Sequence, residues 1–196
     1  PWNFPLAICA GQTSAALAAG NCVIFKPSEL TSLIAYRLVR IYLDAGVPGG
    51  VIQFLPGIGE DIGPVLVEHP DVDMIAFTGS RAVGVEILKR AAAASSPSGP
   101  KRVISEMGGK NAVIVDSDAD LDVAIGECLR AAFDYAGQKC SALSRLILLD
   151  DIYDAFLNRF VDACRSYPMG YAEIPSTRVS PLIDQNALSR VRGFVD

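Results

Sequence analysis

The stretch "MIAFTGSRAVGVEILKRAAAASSPSGPKRVISE", residues 74–106, decides the fold. "MIAFTGS" mixes β-branched, aromatic and small apolar residues and stops at Gly79, which suits a strand and its exit. "RAVGVEILKRAAAA" is long enough, and rich enough in Ala, Leu, Lys and Arg, for a helix. "SSPSGP", 95–100, punctuates as a loop, and "RVISEMGG" returns as a strand. A strand, a helix and a second strand in that order form a crossover unit, which makes the two strands parallel.

The same alternation runs outward in both directions. Before it stand the helical "LAICAGQTSAALAAG" closed by Gly20, the strand "CVIFKP", the amphipathic "TSLIAYRLVRIYLDAG" with Ser28 or Thr31 as cap and Gly46 as stop, the strand "VIQFLPG", and the helix "EDIGPVLVEH" with Pro64 near its first turn. After it come the strand "NAVIVD", one long helix over "ADLDVAIGECLRAAFDYAG" to Gly137, the strand "SRLILLD" and the helix "IYDAFLNRFVDACRSY". The expected class is α/β: a parallel sheet covered by helices on both faces. No internal repeat is visible.

Composition limits the function. The chain has 196 residues, 51% hydrophobic and 20% charged, with net charge −5 and pI ≈ 4.9. That is a globular chain able to bury a sizeable core, and it carries no basic stripe for nucleic acid. Every apolar run is interrupted well before the ~18 residues of a membrane span. "PWNFPLAICAG" has no basic region before its apolar part, unlike a secretory signal. The chain does not start with Met and is expected to be a piece of something longer. Five cysteines, an odd number without a CxxC, read as free thiols in a reducing, cytoplasmic setting. The one histidine, His69, excludes a zinc site built on several histidines; before Pro70 it suits a helix end. No metal is expected.

An open parallel sheet binds ligands at the carboxyl ends of its strands. Those exits are Lys26-Pro27-Ser28-Glu29, Pro56-Gly57-Ile58-Gly59, Phe77-Thr78-Gly79-Ser80 and Glu106-Met107-Gly108-Gly109. "GIGEDIG" is one residue too long for the dinucleotide fingerprint. "FTGS" before a helix makes a phosphate-friendly corner, or an ordinary N-cap. "FDYAGQKCSALSR", 133–145, sets Cys140 behind Gly137 and Gln138 and ahead of Ser141. A cysteine met in isolation is most often core filling.

"PWNFP", "KPSE", "FTGS", "EMGGKN" and "GQKC", in this order, resemble the NAD(P)-dependent aldehyde dehydrogenase superfamily, and 34 positions separate Glu106 from Cys140 as that family spaces them. "GPKRVISEMGGKNAVIVDSDADLD" and "GQKCSALSR" resemble its Δ1-pyrroline-5-carboxylate dehydrogenase branch. The resemblance implies a Rossmann-like parallel sheet of the cofactor domain leading into a partial α/β catalytic domain. The expected boundaries are 1–106 for the C-terminal part of the NAD-binding domain and 107–196 for the N-terminal part of the catalytic domain.

It also implies the chemistry: NAD-dependent oxidation of an aldehyde, in this branch glutamate γ-semialdehyde to glutamate in proline catabolism. Cys140 is the implied nucleophile, Glu106 the general base for the thiol or the deacylating water, and Asn3 the oxyanion donor with the Cys140 N–H. Lys26 and Glu29 are the implied holders of the adenine ribose. The carboxylate favours the free 2′-hydroxyl of NAD over the phosphate of NADP. Trp2 and Ser80 resemble pyrophosphate contacts, Gly59, Gly79 and Val83 the adenine side, and Ser141 a contact of the substrate carboxylate. The implied partners are a small aldehyde, with the whole protein a homo-oligomer or fused to a proline dehydrogenase.

Two other readings stand beside this one. CoA-acylating or phosphate-reducing relatives usually lack the glutamate of "EMGG", so Glu106 argues against them. A piece acting only as a structural module gives no saturable response to NAD. The piece by itself is expected to be without turnover, since its supporting shell is incomplete.

Overall fold

Small residues let Ala7–Ala18 (α1) lie close to its neighbours, and the helix stops where Gly20 turns left-handed at φ 81°. There the Gly20 and Asn21 N–H groups donate to the Leu17 and Ala16 carbonyls at 2.9 and 3.0 Å, a Schellman closure that L-residues with a Cβ resist. The computed structural model describes residues 1–195. It divides into two compact units, Pro1–Met107 and Gly108–Asp196.

In the first unit, Val23–Phe25 (β1) leads through a 3₁₀ turn, Glu29–Thr31, into Ser32–Asp44 (α2). Ser28 caps that turn by accepting from the Leu30 N–H at 3.4 Å, whereas Thr31 makes no side-chain cap bond to α2. Ile52–Phe54 (β2) pairs in parallel with β1, Val23 opposite Ile52 and Phe25 opposite Phe54. Cys9, Phe25, Ala35, Leu38, Val39 and Ile52 form the core between this pair and its helices. Gly59–Glu68 (α3) follows, with Pro64 early in its second turn.

The crossover then appears as its sequence implies. Met74–Thr78 (β3), Arg81–Ala93 (α4) and a returning Arg102–Glu106 (β6) place Thr78 opposite Glu106 in a parallel pair. Residues 95–100 are not a plain loop: Ser95–Ser96 (β4) and Gly99–Pro100 (β5) pair as a small antiparallel hairpin. Its Ser96 hydroxyl bonds the Asp73 carboxylate at 2.7 Å, an anchor invisible in a Ser/Pro-rich string. Lys101, only 9% exposed, is a satisfied buried cation, since its ammonium donates to the His69 and Val72 carbonyls.

The second unit has Asn111–Val115 (β7), Leu121–Phe133 (α5), Leu143–Leu148 (β8), Tyr153–Arg165 (α6) and Gln185–Val195 (α7). β7 and β8 are parallel. Phe156, fully buried, sits with Val115, Ile125, Cys128 and Leu129 at the core, a burial worth about 1.5–3 kcal/mol by area. The expected long helix through Gly137 ends early, at Phe133. Tyr135, Ala136 and Gly137 take φ of 59°, 55° and 68°, and the Tyr167 hydroxyl bonds Asp134 at 2.7 Å. Left-handed non-glycine residues cost energy and cannot continue a right-handed helix, so tertiary contacts override the helical periodicity here.

The α/β class and parallel pairing hold. The single sheet covered on both faces does not: the described strands form four two-stranded sheets. One face of each parallel pair packs on helices, and the other leaves Ile24, Ile104, Ile114 and Ile147 about half exposed or more. Among the described residues no helix is long and apolar enough to cross a membrane.

Candidate active site

The carboxyl end of β1 gathers the first set of singled-out residues. The Lys26 ammonium donates to the Pro27 carbonyl at 2.7 Å and lies 3.9 Å from the Glu29 carboxylate. Gly59, the first residue of α3, faces the same ammonium: a Cβ there would stand 4.0 Å from it. The pair is partly exposed, with Glu29 48% accessible, so it contributes at most about 1 kcal/mol to stability. It sets a cation and a carboxylate side by side at the strand exit.

The second set lies at the end of β3 and β6. The Gly79 N–H donates to the Glu106 carbonyl at 3.1 Å, which extends the parallel ladder one residue beyond Thr78. A Cβ on Gly79 would come within 2.5 Å of the Phe77 ring, so any larger residue there would have to push that ring aside. Ser80 caps α4, its hydroxyl accepting from the Val83 N–H at 3.3 Å. Val83 stays exposed beside it. The structure thus shows Ser80 in the N-cap role, at the positive end of a helix where an anion is also favoured. Gln12, a residue the sequence reading passed over, ties α1 to this exit by donating to the Thr78 hydroxyl at 3.0 Å. Glu106 ends β6 with its side chain exposed, and Trp2 and Asn3 are half-buried just before α1.

Cys140 and Ser141 belong to the second unit, Glu106 and Asn3 to the first. Both Cys140 and Ser141 are exposed on a turn closed by the Ala142 N–H donating to the Lys139 carbonyl at 3.2 Å. The turn sits between the left-handed run 135–137 and β8. Cys140 is therefore not core filling.

The thiols separate by environment. Burial pushes Cys9, Cys128 and Cys164 above the ordinary thiol range, and the adjacent Glu127 carboxylate adds to the rise at Cys128. Since the thiolate is the reactive form, these three are slow at neutral pH. Cys22 and Cys140 are the exposed pair. Sub-stoichiometric iodoacetamide followed by mass mapping is expected to mark Cys140 first in the whole protein. Faster labelling of Cys22, or of any buried thiol, would count against a special role for Cys140.

Comparison with known proteins gives a consistent result. The model of the aldehyde dehydrogenase family matches residues 1–196. A 1-pyrroline-5-carboxylate dehydrogenase of Anoxybacillus flavithermus is 45% identical over 197 residues, covering all of this chain and 38% of the relative. Proline utilization A from Bdellovibrio bacteriovorus superposes with a TM-score of 0.95 at 49% identity, covering this chain fully and 20% of its own. A Thermus 1-pyrroline-5-carboxylate dehydrogenase solved with bound NAD gives a TM-score of 0.93 at 39% identity, with 38% of its chain covered. The chain thus spans less than two fifths of the length of the curated relatives it matches.

Proposed function

This chain belongs to the aldehyde dehydrogenase family, and from that premise we propose that the whole protein oxidises glutamate γ-semialdehyde to glutamate with NAD. The observation that carries the reading is the exposed Cys140–Ser141 turn, in a chain 45% identical to a 1-pyrroline-5-carboxylate dehydrogenase.

The residues divide the work as follows. The Cys140 thiolate attacks the aldehyde carbon, forming a C–S bond while the carbonyl oxygen becomes an oxyanion. Asn3 and the Cys140 N–H stabilise that oxyanion by donating to it. A bound NAD would supply the acceptor for the hydride that leaves the thiohemiacetal carbon. The thioester left on Cys140 is cleaved by water whose proton goes to Glu106, releasing the carboxylate and restoring the thiol. Glu106 is also a candidate to take the thiol proton before attack. Ser141, beside the nucleophile, donates to the carboxylate at the far end of the substrate.

On the cofactor side, the Lys26–Glu29 pair takes the adenine ribose, and Gly59, next to the Lys26 ammonium, belongs to the adenine side. Ser80 and Trp2 take the pyrophosphate, and Gly79 and Val83 line the adenine end. Residues 1–106 are read as the C-terminal part of the cofactor domain and 107–196 as the N-terminal part of the catalytic domain. Five free thiols support a reducing, cytoplasmic setting. The likeness to a proline utilization A protein supports a fused proline dehydrogenase as one arrangement of the whole protein, with a stand-alone homo-oligomer as the other.

The test is an NADH-absorbance assay on the whole protein with glutamate semialdehyde and a series of aldehydes that lack the carboxylate. The highest kcat/KM is expected for the semialdehyde. A higher value for an uncharged aliphatic aldehyde would refute the substrate assignment.

Coenzyme choice gives a second check. The Glu29 carboxylate, 48% accessible, repels a 2′-phosphate and accepts from a 2′-hydroxyl. NAD is therefore expected to exceed NADP by at least tenfold in kcat/KM, about 1.4 kcal/mol. Glu29→Gln narrows that gap by removing the charge. Equal kcat/KM for the two coenzymes in the unaltered protein would sink the assignment.

A further inference from the structure

Two side-chain amides hold the turn that carries Cys140, and neither has a role in the reading above. Asn111 opens β7 and donates through Nδ2 to the Cys140 carbonyl at 2.8 Å and to the Ala142 carbonyl at 3.3 Å. Gln138 donates to the Tyr135 carbonyl at 3.0 Å and accepts from the Ile183 N–H at 3.1 Å. Gly109 completes the seat: a Cβ there would stand 2.8 Å from the Cys140 carbonyl oxygen and 3.0 Å from the Asn111 amide. Side chains larger than hydrogen at 109 would push that carbonyl away.

The strand pairing is altered at this same point. Asn111 is opposite Leu143 but Ala112 is opposite Arg145, so the ladder skips Ser144. An irregularity of this kind re-aims one side chain out of the regular pleat. Here the residue next to it is the one that reaches the turn.

We infer that Asn111 is a positioning residue for the thiol, a role that rests on Cys140 being the nucleophile. Fixing the Cys140 carbonyl fixes the Cys140–Ser141 peptide plane. That restricts ψ of Cys140, the torsion through which the turn would otherwise swing the thiol and the Cys140 N–H out of line. A neutral amide is the suitable donor. A carboxylate at 111 would repel the carbonyl oxygen and place a negative charge near the thiolate. Asn111 is exposed, so water replaces its bonds when it is removed and the fold loses little. Catalysis loses more, because a displacement of about 1 Å at a reacting group costs on the order of a hundredfold in rate.

The experiment uses Asn111→Asp, which keeps the shape and loses the donor, and Asn111→Leu, which removes polarity, in the whole protein. Both are expected to lower kcat about 10- to 100-fold, with KM for NAD changed less than about twofold. Hydrogen exchange of residues 134–142 quickens while that of α6 stays as in the parent. The Asp variant protects the conclusion should the Leu variant fold poorly.

Unchanged kcat in the folded variants overturns the proposal, as does unchanged exchange of residues 134–142. Faster exchange spreading through α6 also overturns it, since the role would then be general stability. Cys140→Ser, run beside them, separates the two readings. Turnover surviving that change refutes the nucleophile, whereas its loss together with unaffected Asn111 variants refutes the seat alone.

Discussion

Cys140→Ser in the whole protein is expected to lower aldehyde oxidation by on the order of 10⁴-fold or more, the scale of loss when a nucleophile is removed. The two side chains have nearly the same shape, and position 140 is exposed on a turn, so the fold should hardly respond. The chemistry responds because a thiolate is accessible near neutral pH, whereas a serine hydroxyl needs a strong neighbouring base. The usual such base is a histidine, and the one histidine of this chain, His69, is the exposed C-cap of α3, with its Nδ1 already accepting from the Asp71 N–H at 3.2 Å. The measurement is steady-state NADH formation, with NAD binding followed in parallel by equilibrium titration. NAD binding should survive in the variant. Activity within about a hundredfold of the parent would show that Cys140 does not form the C–S bond.

How far the sequence carries depends on the range of the interactions that build each part. The βαβ crossover over 74–106 is legible because strand, turn and helix are each specified within a few residues. Met74–Thr78, Arg81–Ala93 and Arg102–Glu106 fall where alternation and Gly79 put them. Residues 134–137 are different. "FDYAG" continues the helical periodicity of α5 and carries no proline. The helix gives way to the left-handed run 135–137, and the contact beside it is remote: the Tyr167 hydroxyl on Asp134, 33 residues away. The hairpin 95–100 escapes local reading for the same reason, because its anchor is Asp73. α7 covers "QNALSRVRGFV", whose apolar residues stand at helical spacing.

The candidate site shows the same division. Lys26 and Glu29 are three positions apart and meet at 3.9 Å, so their pairing is legible in "KPSE". Ser80 is legible as a cap from "TGS" before a helix. The part of Asn111, within "EMGGKN", is not legible in the sequence, because its partners, Cys140 and Ala142, lie about 30 residues on and the contact depends on an irregular register. A glycine pair followed by a short amide at a strand start was the available signal. Only the parallel pairing of β7 with β8 gives it a meaning.

Glu106→Gln is the second large change. The substitution keeps the length and one acceptor of the side chain and removes its capacity to take a proton. The Glu106 backbone carbonyl, which accepts from the Gly79 N–H at 3.1 Å, is untouched, so the exit of β6 should keep its geometry. A positioned general base supplies about 10²- to 10⁴-fold, and steady-state turnover is expected to fall by that amount.

The time course then assigns the step. If Glu106 serves the deacylating water, the first turnover still transfers its hydride, so a burst approaching one NADH per Cys140 precedes a slow steady state. The intact variant then gains the mass of the acyl group as a thioester. Hydroxylamine, an external nucleophile, would attack that thioester, release a hydroxamate and the free thiol, and restore turnover without any base. If Glu106 serves the thiol instead, the burst disappears, no acyl mass accumulates and hydroxylamine has nothing to rescue. Steady-state turnover within about fivefold of the parent would show that the carboxylate at the end of β6 takes no proton in either half of the reaction.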